Sequence, residues 1–154
     1  MSDGDVLVAN HVLDYPYARS VGPVLGAFFT ALSEGRIVGV EGSDGAVIVP
    51  PTEYDPLTGE DVGELRDVGP GGVVTAWSWQ VAPGRKHHLD HPFAWALVRL
   101  DGATTAMLHV VDAGDPGAMA TGMRVTARFR PPAERRGHVL DLEAFVPEPD
   151  GGGR

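Results

Sequence analysis

From residue 36 onward, the chain is a succession of short apolar segments separated by turns rich in glycine and proline. The 154 residues include 21 Gly and 13 Pro. These residues interrupt the apolar segments at close intervals, which is typical of turns between strands rather than of disordered sequence. The pattern therefore predicts a mainly β protein.

Five of these segments predict a barrel. They are rich in β-branched and aromatic residues and partly alternate between apolar and polar positions. They span residues 71–81, 93–100, 105–112, 123–130 and 138–146. A tight turn at 100–105 joins the second segment to the third, whereas the connection 113–122 has room for one helical turn. Five strands with the longest break after the third match an oligonucleotide/oligosaccharide-binding (OB) barrel.

One helix is predicted before these strands, within residues 19–36. Ser20 is a suitable N-cap, Pro23 fits the first turn and Gly35 fits the C-terminal stop. Six apolar residues recur at helical spacing: Val21, Val24, Leu25, Phe28, Phe29 and Leu32. They cover more of the helix than one small domain easily buries. We therefore expect these six residues to form an interface with a partner chain.

Two tight turns around a short strand, in "GSDGAVIVPPTEYDPLTGE" (42–60), have the arrangement of a zinc ribbon, yet the chain has no cysteine. Disulfides and thiolate catalysis are thereby excluded. We expect glycine flexibility, prolines and the side chains of Asp44 and Asp55, bonded to nearby backbone amides, to hold the two turns.

Four phrases, in this order, resemble the family once labelled "domain of unknown function thirty-five": "FFTALSEGRIVG", "PPTEYDPLTGE", "PFAWALVRLDG" and "TGMRVTARF". The resemblance extends over residues 20–146. It implies an N-terminal helix, a rubredoxin-like ribbon and an OB-fold barrel. The expected organisation is an extended leader at 1–19, a helix plus degenerate zinc ribbon at 20–68, the barrel at 69–147 and a disordered tail at 148–154.

The ribbon departs from the family at the metal ligands. Where the family has cysteines, this chain has Gly42, Gly45, Asp55 and Thr58. Zinc requires four N, S or O donors in a tetrahedron, and two glycines supply no side-chain donor. We therefore expect a ribbon without metal.

The cysteine-free members that this chain resembles most belong to acyl-CoA and steroid side-chain degradation. The resemblance implies a non-catalytic accessory subunit of a thiolase-fold aldolase or thiolase, in a heterotetramer whose catalytic residues lie on the partner. It also implies that acyl-CoA is the substrate of the complex, that this chain alone binds no cofactor and that it helps form the CoA site. The alternative is a stand-alone OB-fold module that binds a small ligand or nucleic acid.

The segment "RKHHLDHP" (85–92) is the strongest chemical cluster. His87, His88 and His91 with Asp90 offer metal ligands, but a loop flanked by prolines is a poor tetrahedral scaffold, so we expect no metal there. The same loop is a local basic patch in an acidic protein. We expect four of its residues, Arg85, Lys86, His87 and His88, to contact the phosphates of CoA. A merely solvated loop stays open as the alternative.

Charge and motif content exclude other classes. The net charge of -9 argues against a nucleic-acid partner. No apolar run reaches the roughly 18 residues that span a bilayer, and the acidic N-terminus lacks a signal peptide, so we expect a cytoplasmic protein. No nucleophile-elbow, P-loop or dinucleotide-binding motif is present, and we assign no catalytic residue.

Two further expectations concern the barrel. A second basic run, Arg128, Arg130, Arg135 and Arg136, is interpreted as a solvated edge. His109 lies within a predicted strand and is expected to be a hydrogen-bonded residue of the barrel.

Overall fold

The computed structural model describes residues 9–16 and 20–149. Residues 9–16 of the predicted leader form neither helix nor strand and are exposed. The predicted leader at 1–8 and 17–19, and the predicted tail at 150–154, lie outside the described residues.

The helix α1 spans Pro23–Ser33 and begins differently from the prediction. Ser20 is not its cap: the N-cap residue is Gly22, which makes no side-chain capping bond. Instead, the carboxylate of Glu53 accepts hydrogen bonds from the backbone N–H groups of Val24 (3.3 Å) and Leu25 (2.9 Å). A carboxylate at this end is also attracted to the positive end of the helix dipole and stabilises the helix. The cap thus comes from the ribbon, 28 residues further along the chain.

The helix ends as predicted. Gly35 has φ 79°, a left-handed conformation that glycine adopts without steric cost. The Gly35 N–H donates to the carbonyl of Leu32 (3.0 Å), and the Arg36 N–H donates to that of Ala31 (2.9 Å). These two bonds form a Schellman motif.

A three-stranded antiparallel sheet comes next, formed by β1 (Ile37–Glu41), β2 (Val47–Ile48) and β3 (Leu65–Val68) in the order β2-β1-β3. Sequence reasoning missed β3. Three of its four residues are exposed and only Val68 is buried, so this edge strand lacks an apolar pattern. It is held by pairing with the buried strand β1, with Ile37 opposite Val68.

The predicted five-stranded barrel is confirmed. Its strands are β4 (Gly71–Gln80), β5 (Phe93–Leu100), β6 (Met107–Val111), β7 (Arg124–Phe129) and β8 (Leu142–Pro147). They close in the order β4-β5-β6-β8-β7, with β6 and β8 parallel. The connection 113–122 contains one 3-10 turn, Pro116–Ala118. The last strand begins later than predicted, because Val139–Asp141 form another 3-10 turn.

One hydrophobic core joins the helix, the ribbon and the barrel. It includes Phe28 and Leu32 of α1, Ile37 of β1, and Val98 and Phe145 of the barrel. Phe28 is 2% exposed and Leu32 is fully buried. For these two residues the structure corrects the expected partner contact, because the chain's own core already covers them.

Phe28→Ala should therefore destabilise the isolated protein by about 3–5 kcal/mol, since it leaves a cavity in this core. The matched substitution Val21→Ala, at a position that is 46% exposed, should change the free energy of unfolding by less than about 0.5 kcal/mol. Urea unfolding followed by circular dichroism measures both. Equal effects would contradict the packing described for α1.

Candidate functional site

A single carboxylate connects the two turns of the ribbon. Asp55 is 3% exposed. One of its oxygens, Oδ2, accepts a hydrogen bond from the backbone N–H of Ser43 in the first turn, at 2.5 Å. The other, Oδ1, accepts from the N–H groups of Leu57 (2.7 Å) and Thr58 (3.3 Å) in the second turn. The bonds from Ser43 and Leu57 lower the pKa of Asp55, because they favour the ionised form.

These residues do not fit zinc. A Cβ atom added to Gly42 would lie 3.3 Å from the Oδ2 of Asp55, so the carboxylate occupies the space beside the first turn. Asp44 bonds its own turn, accepting from the N–H of Ala46 at 2.9 Å, as expected. Within the residues described, no group of three or more His, Cys, Asp or Glu side chains is placed to hold a metal ion. The carboxylate connects the turns that a metal would otherwise join.

Asp55→Asn should lower the melting temperature by at least about 5 °C, because an amide nitrogen cannot accept the hydrogen bonds of one turn. Asp44→Asn is the matched control in the same ribbon and should have a smaller effect. The pKa of folded Asp55 is lowered, so its contribution is present above pH 3.8, its ordinary pKa, and is lost as the pH falls through the lower folded value.

The same experiment tests the metal. A chelator should leave the melting temperature of the wild-type protein unchanged, and elemental analysis of untagged protein should find well under one zinc per chain. Stoichiometric zinc that resists the chelator would contradict the role given to Asp55.

The histidine loop, residues 81–92, is attached to the barrel through its second half. His88 is half-buried and its Nε2 contacts the carbonyl oxygen of Glu143. His91 lies 3.1 Å from Asp90 and 3.2 Å from Asp112. Leu89 is buried against β5, β6 and β8. The second half of the loop is thus packed against the barrel rather than fully solvated.

The predicted basic patch is split by this arrangement. Arg85, Lys86 and His87 lie at the exposed tip of the loop, where the Nδ1 of His87 accepts a hydrogen bond from the Gly84 N–H at 2.6 Å. His88 points instead toward the barrel, and burial lowers its pKa, so it is neutral at pH 7. The three histidines therefore have three different partners.

The second basic run is not a uniform solvated edge, and that expectation is wrong. Arg128 donates to Glu143 (2.6 Å) and to Asp112 (2.8 Å), which connects β7 to β8 and to the end of β6. Arg135 lies over the ring of Phe129, at 5.4 Å from its centroid. Arg130 is half-buried. Sequence proximity alone did not distinguish these environments.

His109 is buried inside the barrel, at 6% exposure. Its ring meets those of His88 and Phe145 edge-on, with centroids 5.6 and 5.8 Å apart. Its Nδ1 has no hydrogen-bond partner in the part of the chain that the structure describes, so the expectation of a hydrogen-bonded residue is wrong at this atom. Burial, with a smaller effect of His88, lowers the pKa of His109 to about 4.

The protein should lose stability as the pH falls from 6.5 to 4, because the unfolded state then binds a proton that folded His109 rejects. The difference is about 3 kcal/mol for a pKa lowered from 6.5 to about 4. His109→Leu should remove this part of the pH dependence, whereas His11→Leu, in the exposed leader, should preserve it. Urea unfolding of the three proteins between pH 4 and 7.5 measures the difference; identical slopes for wild type and His109→Leu would refute it.

Three further residues of the predicted interface lie on α1. Val24, Leu25 and Phe29 are half-buried. Val24 lines a cavity of about 280 Å³ together with Tyr54 and Val62. The leader, which precedes α1 in the sequence, has three exposed large apolar side chains: Val12 (85%), Leu13 (67%) and Tyr15 (73%).

The barrel is similar to that of a known family. Residues 65–130 match the family described as "ChsH2, C-terminal OB-fold domain". The predicted resemblance is confirmed. No curated protein matches the chain. The ChsH2-like barrel is the part on which the family match depends, and α1 and most of the ribbon precede it.

Two solved structures have a similar fold. The first, "Ltp2-ChsH2(DUF35) aldolase", has a TM-score of 0.60 at 20% identity, over 84% of this chain and 98% of that chain. The second, a protein of unknown function from the DUF35 family of Sulfolobus solfataricus, has a TM-score of 0.56 at 19% identity, over 70% of this chain and 77% of that chain. At these identities the likeness concerns the fold.

The described residues contain no helix that is both long and apolar enough to cross a membrane.

Proposed function

We propose that this chain is a non-catalytic accessory subunit of a thiolase-fold aldolase or thiolase that acts on an acyl-CoA. The reaction we favour is retro-aldol cleavage of a steroid side-chain CoA thioester in lipid degradation. In this proposal the chain acts in the cytoplasm, where it stabilises the partner within a heterotetramer and contributes to the CoA site, while the catalytic residues lie on the partner.

The likeness to a ChsH2 chain supports the accessory role. The name of that structure couples ChsH2 with Ltp2 in one aldolase, and the shared fold extends over nearly all of its ChsH2-like chain. The structure that resembles this chain is therefore named together with a second protein, Ltp2.

The leader is the observation that carries the proposal. Val12, Leu13 and Tyr15 are consecutive or nearly so, and each exposes at least 67% of its surface. Large apolar side chains exposed together on a soluble chain mark surfaces that a partner covers. Val21, just before α1, is exposed as well, at 46%. The partner interface therefore comprises the leader and the first turn of the helix, not the buried face with Phe28 and Leu32.

The tip of the histidine loop is the proposed CoA contact. Arg85 and Lys86 are exposed and have no carboxylate within salt-bridge distance among the described residues. Cations of this kind bind phosphate oxygens through charge-assisted hydrogen bonds. His87 lies beside them, whereas His88, which is neutral and turned inward, contributes to the position of the loop.

The full chain should co-purify with a thiolase-fold aldolase chain of the same organism when the two are co-expressed, and size-exclusion chromatography should give one heteromeric peak. Val12→Asp should abolish co-elution, because it places a charge in an apolar contact. Leu108→Asp is the matched control: Leu108 is 59% exposed and lies on β6, outside the leader and the histidine loop, and co-elution should persist.

Separate elution of the two wild-type chains would refute the accessory role and favour the stand-alone binding module. Co-elution of the Val12→Asp variant would instead show that the interface lies outside the leader. Circular dichroism of each variant alone verifies that it is folded.

A further inference from the structure

Most cations without a carboxylate partner lie on two loops of the barrel. Among the described residues, four arginines lie within 4.0 Å of a carboxylate: Arg36, Arg66, Arg124 and Arg128. Six arginines and lysines do not: Arg85, Lys86, Arg99, Arg130, Arg135 and Arg136. All of these six except Arg99 belong to the loop 81–92 or to the loop 130–141. In OB folds, loops between the barrel strands flank the ligand-binding face.

The loop 130–141 lines an open cleft of about 440 Å³, within the usual size of a small-ligand site. Arg130, Arg136 and His138 line it, and Glu134 lines it as well. Asp141 forms part of its wall, but its carboxylate is already bound by backbone N–H groups of the same loop, at 2.7 to 3.1 Å. The carboxylate that remains free to oppose an incoming anion is that of Glu134.

Each of the three basic side chains has donors available. Arg130 is half-buried, and its buried Nε has no acceptor among the described residues, which is costly for a guanidinium. Arg136 is exposed, and among the described residues only its backbone N–H is hydrogen-bonded, to Asp141. The Nδ1 of His138 accepts a hydrogen bond from the Leu140 N–H at 3.1 Å, so in the neutral ring the proton lies on Nε2, which is a donor.

The two loops are neighbours. His88 of the loop 81–92 contacts the carbonyl of Glu143, at the start of β8, directly after the loop 130–141. Its Coulombic interaction with Arg130, which lowers the pKa of His88, agrees with the proximity of the two loops. The cations of the second loop therefore extend the basic surface that begins at Arg85 and Lys86.

We infer that the cleft of the loop 130–141 binds the phosphomonoester of an organic ligand, held by the guanidinium groups of Arg130 and Arg136 and by the Nε2 of His138. A phosphomonoester suits the site because planar guanidinium groups bind phosphate oxygens in pairs. Its double charge also outweighs the repulsion from Glu134. Assignment of this group to the 3′-phosphate of CoA rests on the proposed function.

The test uses the isolated full-length chain and isothermal titration with inorganic phosphate, CoA and dephospho-CoA. In contrast to the expectation from the resemblance that this chain alone binds no cofactor, wild type should bind phosphate saturably. It should also bind CoA at least about tenfold more tightly than dephospho-CoA, which lacks the phosphomonoester at the 3′ position. Arg130→Gln and Arg136→Gln should each weaken phosphate binding at least about tenfold, as expected for the loss of charge-assisted hydrogen bonds. Arg99→Gln makes the same charge change on β5, outside both loops, and should leave the affinity within about twofold.

Folding controls accompany the titrations. Arg130→Gln should keep or raise the melting temperature, because it removes a buried N–H group that has no acceptor among the described residues. Arg136→Gln preserves the hydrogen bond from the backbone N–H of residue 136 to Asp141. If Arg130→Gln fails to fold, the phosphate affinity of Arg136→Gln alone tests the site. Absence of saturable phosphate binding, or equal weakening by Arg99→Gln, would overturn the site.

Phosphate binding without discrimination between CoA and dephospho-CoA would support the site but overturn its assignment to CoA. Because no partner chain is present in the titration, its outcome is independent of the co-purification experiment.

Discussion

The carboxylate of Asp55 supports a series of contacts that reaches from the ribbon to the barrel. It binds the amides of both ribbon turns and so holds the segment that contains Glu53. Glu53 in turn caps α1. The far side of the helix packs against the loop 130–141, where Gly137 approaches the Phe29 carbonyl: a Cβ added to Gly137 would lie 3.6 Å from that oxygen. One buried anion thus takes the structural place that a metal has in a zinc ribbon, without requiring four ligands.

The ribbon is also fastened to the barrel directly. The Val47 N–H donates to the hydroxyl of Thr104, and the Val49 N–H donates to that of Thr105. Both threonines lie in the turn that joins β5 to β6. A three-stranded sheet of this size would be marginal alone, and the shared core with α1 and the barrel makes it part of one folded unit. The ribbon is therefore held by contacts that its own residues and the barrel supply.

The charges of the barrel are arranged in two different ways. Around β6, β7 and β8, the cations are neutralised: Arg128 lies between Asp112 and Glu143, and His91 adds a further contact to Asp112. Arg85, Lys86 and the cleft-lining arginines have no such partners among the described residues. In a chain with a net charge of -9, this separation concentrates positive potential on the two loops. The proposed partner contact in the apolar leader and the proposed anion contact in these loops use different residues, so the two are compatible in one accessory subunit.

Sequence alone was sufficient for the mainly β class, the five barrel strands, the helix and its stop at Gly35, and the ribbon's loss of its metal ligands. Each of these depends on a local pattern: alternation of apolar residues, a left-handed glycine, or the absence of donor side chains. It was insufficient where distant segments meet. The cap on α1 comes from Glu53 rather than Ser20, β3 is a strand only because β1 pairs with it, and Phe28 and Leu32 face this chain's own core. Arg128 and Arg130 are two residues apart, yet one is paired and the other has no carboxylate partner among the described residues, because neighbouring strands supply carboxylates to one position and not to the other. Such differences depend on which groups the folded chain brings within a few ångströms, and no spacing along the sequence encodes that distance.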